Sequence, residues 1–308
     1  MQRIALGILF SFFWSSAFIA GKYSIKYLLP LNFISLRLGL AGLVLLIASF
    51  AYRHLKKQPL NLNEFKNPYL WRDACILGLC NYVFYLGLSY TGMQYVSPEL
   101  AILLVSTTPF VTSFVVSWVA KTWSKLLWIA ITMGFLGVFL VLSARIGGIS
   151  IWVAQLRHPN QSNEIITGVS WLLLAVIAVS VGTLYFQFFA KKTTDKLYLV
   201  ALQNMIGSII LLPFVDLTRW SAVIFVPEFF ISLIYQMIFV SMIAMIMWFK
   251  VIEWFGPGYA SAFHLLNPIF ATFLSVLLFG VQLTVSDIIG TLMVVIAMGI
   301  VSLDLIRK

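Results

Sequence analysis

Ten stretches of roughly 17–25 mostly apolar residues follow one another along this chain, each long enough to cross a hydrocarbon core of about 30 Å. They are read at 4–22, 32–52, 73–91, 96–119, 125–144, 166–190, 197–216, 229–250, 258–280 and 285–306. Inside lipid every backbone N–H and C=O must find its partner within the protein, so runs of this length can only be helices. The chain is therefore an all-α polytopic membrane protein. Of its 308 residues, 61% are hydrophobic and 10% charged, too little charge to cover a water-soluble surface. The first run, after Met1-Gln2-Arg3, imitates a signal peptide, with Ser15-Ser16-Ala17 as a cleavage site. It is read as a retained span, because it completes the first group of five.

The net charge of +10 sits at span ends, not on a solvated face, so it is read as a topology signal rather than a nucleic-acid surface. With the N-terminus inside, 14 of the 20 lysines and arginines are cytoplasmic and five are outside. Arg37 alone lies within a span. Both termini are thus expected in the cytoplasm. The placement expected for the protein is a bacterial cytoplasmic (inner) membrane. The connection at 145–165 joins the halves on the outer side. There Ile149, Trp152, Val153 and Leu156 follow helical spacing, which fits a short interfacial helix or a linker with sticky side chains. Cys75 and Cys80 have no disulfide or metal-ligand spacing.

The two halves echo each other. Ser35-Leu36-Arg37-Leu38-Gly39-Leu40-Ala41-Gly42 in the second span answers Ala201-Leu202-Gln203-Asn204-Met205-Ile206-Gly207-Ser208 in the seventh. Pro109 in the fourth answers Pro268 in the ninth. Five spans per copy is an odd number, so the second copy enters the membrane inverted. The division expected is a first repeat at 1–144, an outer linker at 145–165 and a second repeat at 166–308.

These residues resemble the drug/metabolite transporter superfamily, in its ten-helix EamA-type branch. The resemblance covers almost the whole chain. It rests on Leu36-Arg37 and Leu202-Gln203, and on Ser97 to Pro109 echoed by Gly256 to Pro268. The small residues Ala130, Gly134 and Gly137, partly echoed by Gly290 and Ala297, add to it. Ala120-Lys121 and Gly280-Val281 stand where many members carry Gly-Glu. The resemblance implies a substrate cavity between two five-helix repeats, lined by helices 1–4 and 6–9. Helices 5 and 10 would stand behind it, supporting packing or a homodimer.

Arg37 is the sharpest candidate for the mechanism. Arginine keeps its charge, and an unpaired one in lipid costs several kcal/mol. It must meet a partner, water or a cavity, or snorkel to the headgroups. Glu99, at similar depth, is its expected partner for gating or proton exchange, or else a helix-start carboxylate. His264 is the second proton-coupling candidate, or a hydrogen-bonded structural histidine. Pro109 and Pro268 free the carbonyls of Val105 and His264, making paired hinges or static bends. Asn267, Gln203, Asn204, Trp14 and Tyr82 complete the expected binding or gating set. Asn81, Tyr85, Tyr185 and Gln187 are further cavity candidates, and Lys22 and Lys26 read as interface anchors. Gly39, Gly42, Gly134 and Gly137 allow close helix approach.

No phosphate loop, metalloprotease motif or acidic metal cluster is visible, so no cofactor, metal or catalytic residue is expected. The function expected is secondary transport of a small organic metabolite by alternating access. An amino acid or related zwitterionic or amphipathic solute suits the few intramembrane charges. Efflux with proton antiport, or solute exchange, is the leading form, and uptake is the alternative. The partners are that substrate and membrane lipids, not nucleic acid. A lipid-modifying membrane enzyme is the reading from another class, opposed by acidic residues scattered singly.

Overall fold

The computed structural model describes residues 2–57, 62–96, 98–121, 123–145, 159–190, 195–216, 226–280 and 282–306. Each of the ten predicted spans is helical, and no strand occurs among the described residues. The helices are α1 (Gln2–Ile25), α2 (Pro30–Leu55), α3 (Pro68–Gly92), α4 (98–120), α5 (Lys125–Arg145), α6 (Pro159–Phe188), α7 (Lys196–Leu211), α8 (227–255), α9 (257–279) and α10 (Val285–Ile306). Pro30, Pro68, Pro98, Pro159 and Pro227 each open a helix, where the missing N–H costs nothing. The interfacial segment around Ile149–Leu156 lies outside the described residues.

One connection differs from expectation. The spacing between the eighth and ninth spans predicts a loop near 251–257, yet α8 runs into α9 with a single reversal at Gly256. Its φ of 75° and ψ of 164° belong to a region essentially reserved for glycine. One residue therefore does the work of a loop.

The bundle has an internal pseudo-two-fold axis. Helix α1 packs on α8 and α9, and α6 packs on α3 and α4. Each is the same relation with the repeats exchanged. On the axis, α2 pairs with α7 and α5 with α10. Both pairs are antiparallel. Asn32 at the start of α2 meets Asp216 beyond the end of α7, while Arg53 at the end of α2 meets Asp195 at the start of α7. Likewise Ser124, before α5, donates to Asp304 near the end of α10. Equivalent helices running in opposite directions make these inverted repeats.

Small residues bring the seams together. A Cβ at Gly42 would lie 2.7 Å from the Ala201 carbonyl oxygen, and one at Gly137 2.6 Å from that of Gly290. Both approaches exclude any side chain. Gly39 meets Ser208 and Gly134 meets Leu265, so all four glycines singled out in the sequence lie at packed seams. Ser35 Oγ donates to the Ser208 carbonyl at 3.2 Å, and Ser208 Oγ to the Ser35 carbonyl at 2.7 Å. This reciprocal pair ties α2 to α7 near the axis.

The proline positions do break their helices. Helix α4 is interrupted between Val105 and Thr108, and α9 passes through a tight 3-10 turn at Phe263–Leu266. The carbonyls that the prolines leave are nonetheless satisfied. Thr108 Oγ1 donates to Val105 O at 2.5 Å, and the Asn267 N–H donates to His264 O. Ser11 of α1 adds a bond to the neighbouring Phe263 carbonyl at 2.8 Å. Helices α4 and α9 also end alike, in left-handed residues: Lys121 (φ 52°) and Gly280 (φ 64°).

Candidate functional site

The centre of the bundle lies where α1, α2, α3, α8 and α9 meet. Two helices change pitch there. Leu79–Leu86 in α3 and Gln236–Ala244 in α8 form wide π-helical turns at corresponding places in the two repeats. Such turns push side chains out of the regular ladder and recur at functional sites.

Arg37 faces inward and is only 2% exposed, so it does not snorkel. Its Nη1 donates to Gln236 Oε1, 2.8 Å away in the π-helical turn of α8. Gln236 Nε2 donates onward to Ser232 Oγ at 3.1 Å. Ser24 Oγ donates to Ser232 Oγ at 2.7 Å, and Ser232 Oγ to the Ala20 carbonyl at 2.6 Å. The guanidinium lies 6.0 Å from the Phe33 ring centre. No acidic side chain pairs with it among the described residues. Its Nε has no partner among the described residues. A void of about 20 Å³, room for roughly one water, adjoins it and is lined by Trp14, Tyr85, Ser89 and Tyr90 among others. The side chain of Glu99, the expected partner, lies outside the described residues. The partner that the structure gives Arg37 is Gln236.

Trp14 also belongs to a cluster of packed aromatic rings around His264. Its indole stacks on Tyr85 at 6.0 Å and donates to the Tyr85 hydroxyl at 3.4 Å. On its other side stands His264, boxed by Phe10 (5.5 Å), Trp248 (4.9 Å) and Trp14 (6.2 Å). Asn267 Nδ2 lies 3.1 Å from His264 Nδ1. An amide N–H donating there leaves the proton of the neutral ring on Nε2. That atom has no partner. Asn267 Oδ1 accepts from Ser15 of α1 at 3.4 Å.

Gln203, Asn204 and Tyr82 lie deeper along the α2/α7 seam and are buried. Asn204 donates to the carbonyls of Val200 and Ser241, while neither polar atom of Gln203 has a partner. Eleven buried side-chain polar atoms lack partners among the described residues, and nine belong to Arg37, Asn81, Tyr82, Ser89, Gln203, Asn204, Ser241 and His264. Such atoms normally cost stability, so their gathering at the repeat interface marks a place built for something other than packing. Among the described residues, the small void beside Arg37 lies within the cavity that the resemblance implies between the repeats. The helices have packed around the cation, and aromatic rings fill the remaining space.

Both ends of the site are bridged. On the face carrying the termini, Arg53 pairs with Asp195 and Lys196 with Glu253. Glu64 Oε1 accepts from the Asp195 N–H at 3.1 Å. Arg72 and Tyr185 converge on Asp73, at 2.8 and 2.6 Å, which places Tyr185 at this face. On the distal face Asn32 Nδ2 donates to the Asp216 carbonyl at 2.5 Å, and the Asp216 N–H donates to Asn32 Oδ1 at 3.0 Å. Lys26 is exposed there, over the Tyr27 ring. Sequence reasoning missed Gln236, Asp195 and Glu253. Gln236 carries no signal except its place in an apolar span. Charges at span ends read as topology and hide their pairing.

The comparisons agree with this architecture. The model of the EamA-like transporter family matches residues 1–143 and again 166–303. An uncharacterized transporter of Bacillus subtilis, YvbV, is 26% identical over 94% of this chain and 88% of its own. An uncharacterized transporter of Synechocystis sp. is 24% identical over 96% of this chain and 87% of its own. One of Archaeoglobus fulgidus is 23% identical over 94% of each. A solved crystal structure superposes on all of this chain and 99% of its own with a TM-score of 0.76 at 16% identity, a likeness of fold.

Proposed function

The chain belongs to the EamA-like transporter family, and from that premise we propose a secondary transporter that moves a small organic solute bearing a carboxylate, an amino acid or related zwitterion, by alternating access. The observation that carries this reading is Arg37. It is a buried cation whose Nε has no partner and which has no acidic partner among the described residues. Leaving a charge buried and uncompensated is costly, and a solute carboxylate would offset that cost each time it binds. Aromatic side chains from Trp14, Tyr85 and Phe10 would receive the apolar part of the solute. The breaks at Pro109 and Pro268 are the hinges, and the bridges at the two faces would form and break in turn. Efflux by proton antiport, or exchange, is the proposed mode, with His264 and Glu99 as the groups for proton coupling. The proposed setting is a bacterial cytoplasmic membrane with both termini inside.

Counterflow in proteoliposomes tests this. Preloaded amino acids should give saturable exchange of labelled solute. Arg37→Gln should lower it by about 30-fold or more, the scale for truncating a buried charged contact. Solutes lacking the carboxylate should not exchange. Equal counterflow of amino acids and their amides would overturn the carboxylate assignment.

A further inference from the structure

A second cavity, about 420 Å³, lies away from Arg37, on the outer flank of α1 where it meets α8 and α9. That volume is in the range of small-molecule sites. Its walls are apolar: Phe12 and Ile19 from α1, Ile231 from α8, Leu274 and Leu278 from α9. Ile231 and Leu278 are exposed on the bundle surface, so the cavity opens sideways towards lipid. It occupies the distal half of the membrane. From Glu228 at the start of α8 to Tyr235 is seven residues, or about 10 Å of depth.

Glu228 is the carboxylate among the lining residues, and it stands at the interfacial end. It is exposed and has no partner among the described residues. A carboxylate in the first turn of a helix is ordinary on its own. Here a deep apolar cavity opens directly beneath it. The polar groups at the cavity back are already satisfied: Ser16 Oγ and the Tyr235 hydroxyl share a bond of 2.6 Å, and Ser232 donates to Ala20 O. Their hydroxyl protons are all committed, Ser16 donating in turn to the Phe13 carbonyl, so they offer no donor to a polar solute. An occupant must be apolar along about 10 Å of its length and positively charged at its outer end. We propose that this groove is a lateral binding site for an amphipathic organic cation, its apolar part between α1, α8 and α9 and its charged head at the Glu228 carboxylate. The site is distinct from the central one and does not depend on the transport reading. It does share Ser232 with the hydrogen-bonded chain that ends at Arg37.

The test uses the full chain in phosphatidylcholine nanodiscs, with Cys75→Ser and Cys80→Ser removing the native thiols. A fluorophore on Leu278→Cys reports the groove, and one on Val295→Cys, exposed on α10, reports plain partition into lipid. Dodecyltrimethylammonium should give a saturable change at 278 and only a linear one at 295. Dodecanol should bind at 278 about fivefold more weakly, the upper scale for one partly exposed charge contact. Glu228→Gln should remove that fivefold advantage and leave dodecanol unchanged. Ala20→Phe, filling the groove, should abolish saturation for both. Linear responses at both labels would overturn the proposal. So would equal binding of cation and alcohol, or a Glu228→Gln protein that still favours the cation; either leaves only an apolar seam filled by lipid.

Discussion

At the scale of single residues, Arg37 and Gln236 make a pair that holds a charge without neutralising it. Supplying a permanent counter-charge should therefore separate folding from function. Gln236→Glu is expected to raise the thermal midpoint in detergent, because it compensates the buried guanidinium. It is also expected to abolish counterflow, because the new carboxylate occupies the place of the solute's. A variant that still transports would remove Arg37 from the binding role. Backbone demands are as local. At Gly256 no atom lies within 4 Å of where a Cβ would stand, so Gly256→Ala meets only conformational strain. A destabilisation of about 1–3 kcal/mol is expected in thermal or denaturant unfolding. The opposite sign is expected at Lys121, a left-handed non-glycine residue, where Lys121→Gly should stabilise by roughly 1 kcal/mol. Arg37 was legible in the sequence because a charge inside an apolar run has to be explained. Gln236 was not, because it lies 199 residues away and a neutral amide in a span raises no alarm.

At the scale of elements, the seams decide what can move. Helices α5 and α10 approach until glycine backbone touches glycine backbone. Gly137→Ala should force them apart at a cost of about 1–3 kcal/mol, the range for overpacking a tight interface. Unfolding followed by tryptophan fluorescence would show it, and an unchanged midpoint would mean the seam yields without cost. The ten helices could be read from the sequence because each crossing needs its own length of apolar chain. Pro109 and Pro268 marked real breaks because proline removes a donor wherever it falls. Other features left no such trace. Hydropathy does not report turn pitch, so the π-helical turns of α3 and α8 were invisible. A one-residue reversal at Gly256 looks, in sequence, like a short loop. The size of the void beside Arg37 was equally hidden, since it depends on how near the helices stand and not on which residues line them.

Across the whole molecule, the face bearing the termini is spanned by charge pairs between elements far apart in the chain, which would hold it shut. Arg53→Gln breaks the pair with Asp195 while leaving Asp195 to cap α7 through its bond to Leu197. A cysteine at the buried Leu202 should then react several-fold faster with an impermeant thiol reagent applied from that face. Unaltered labelling would assign closure to packing alone. The pairing of α2 with α7 has a further consequence, set by the ribosome. About 140 residues separate the end of α2 from the start of α7. At 5–20 residues per second, synthesis of that stretch takes on the order of ten to thirty seconds. Through that interval α2 waits in or beside the bilayer with its glycine seam uncovered, and Arg37 waits longer still for Gln236. The first half of this protein is thus born incomplete, and the insertion machinery or a neighbouring helix must shelter a naked arginine until the second half arrives.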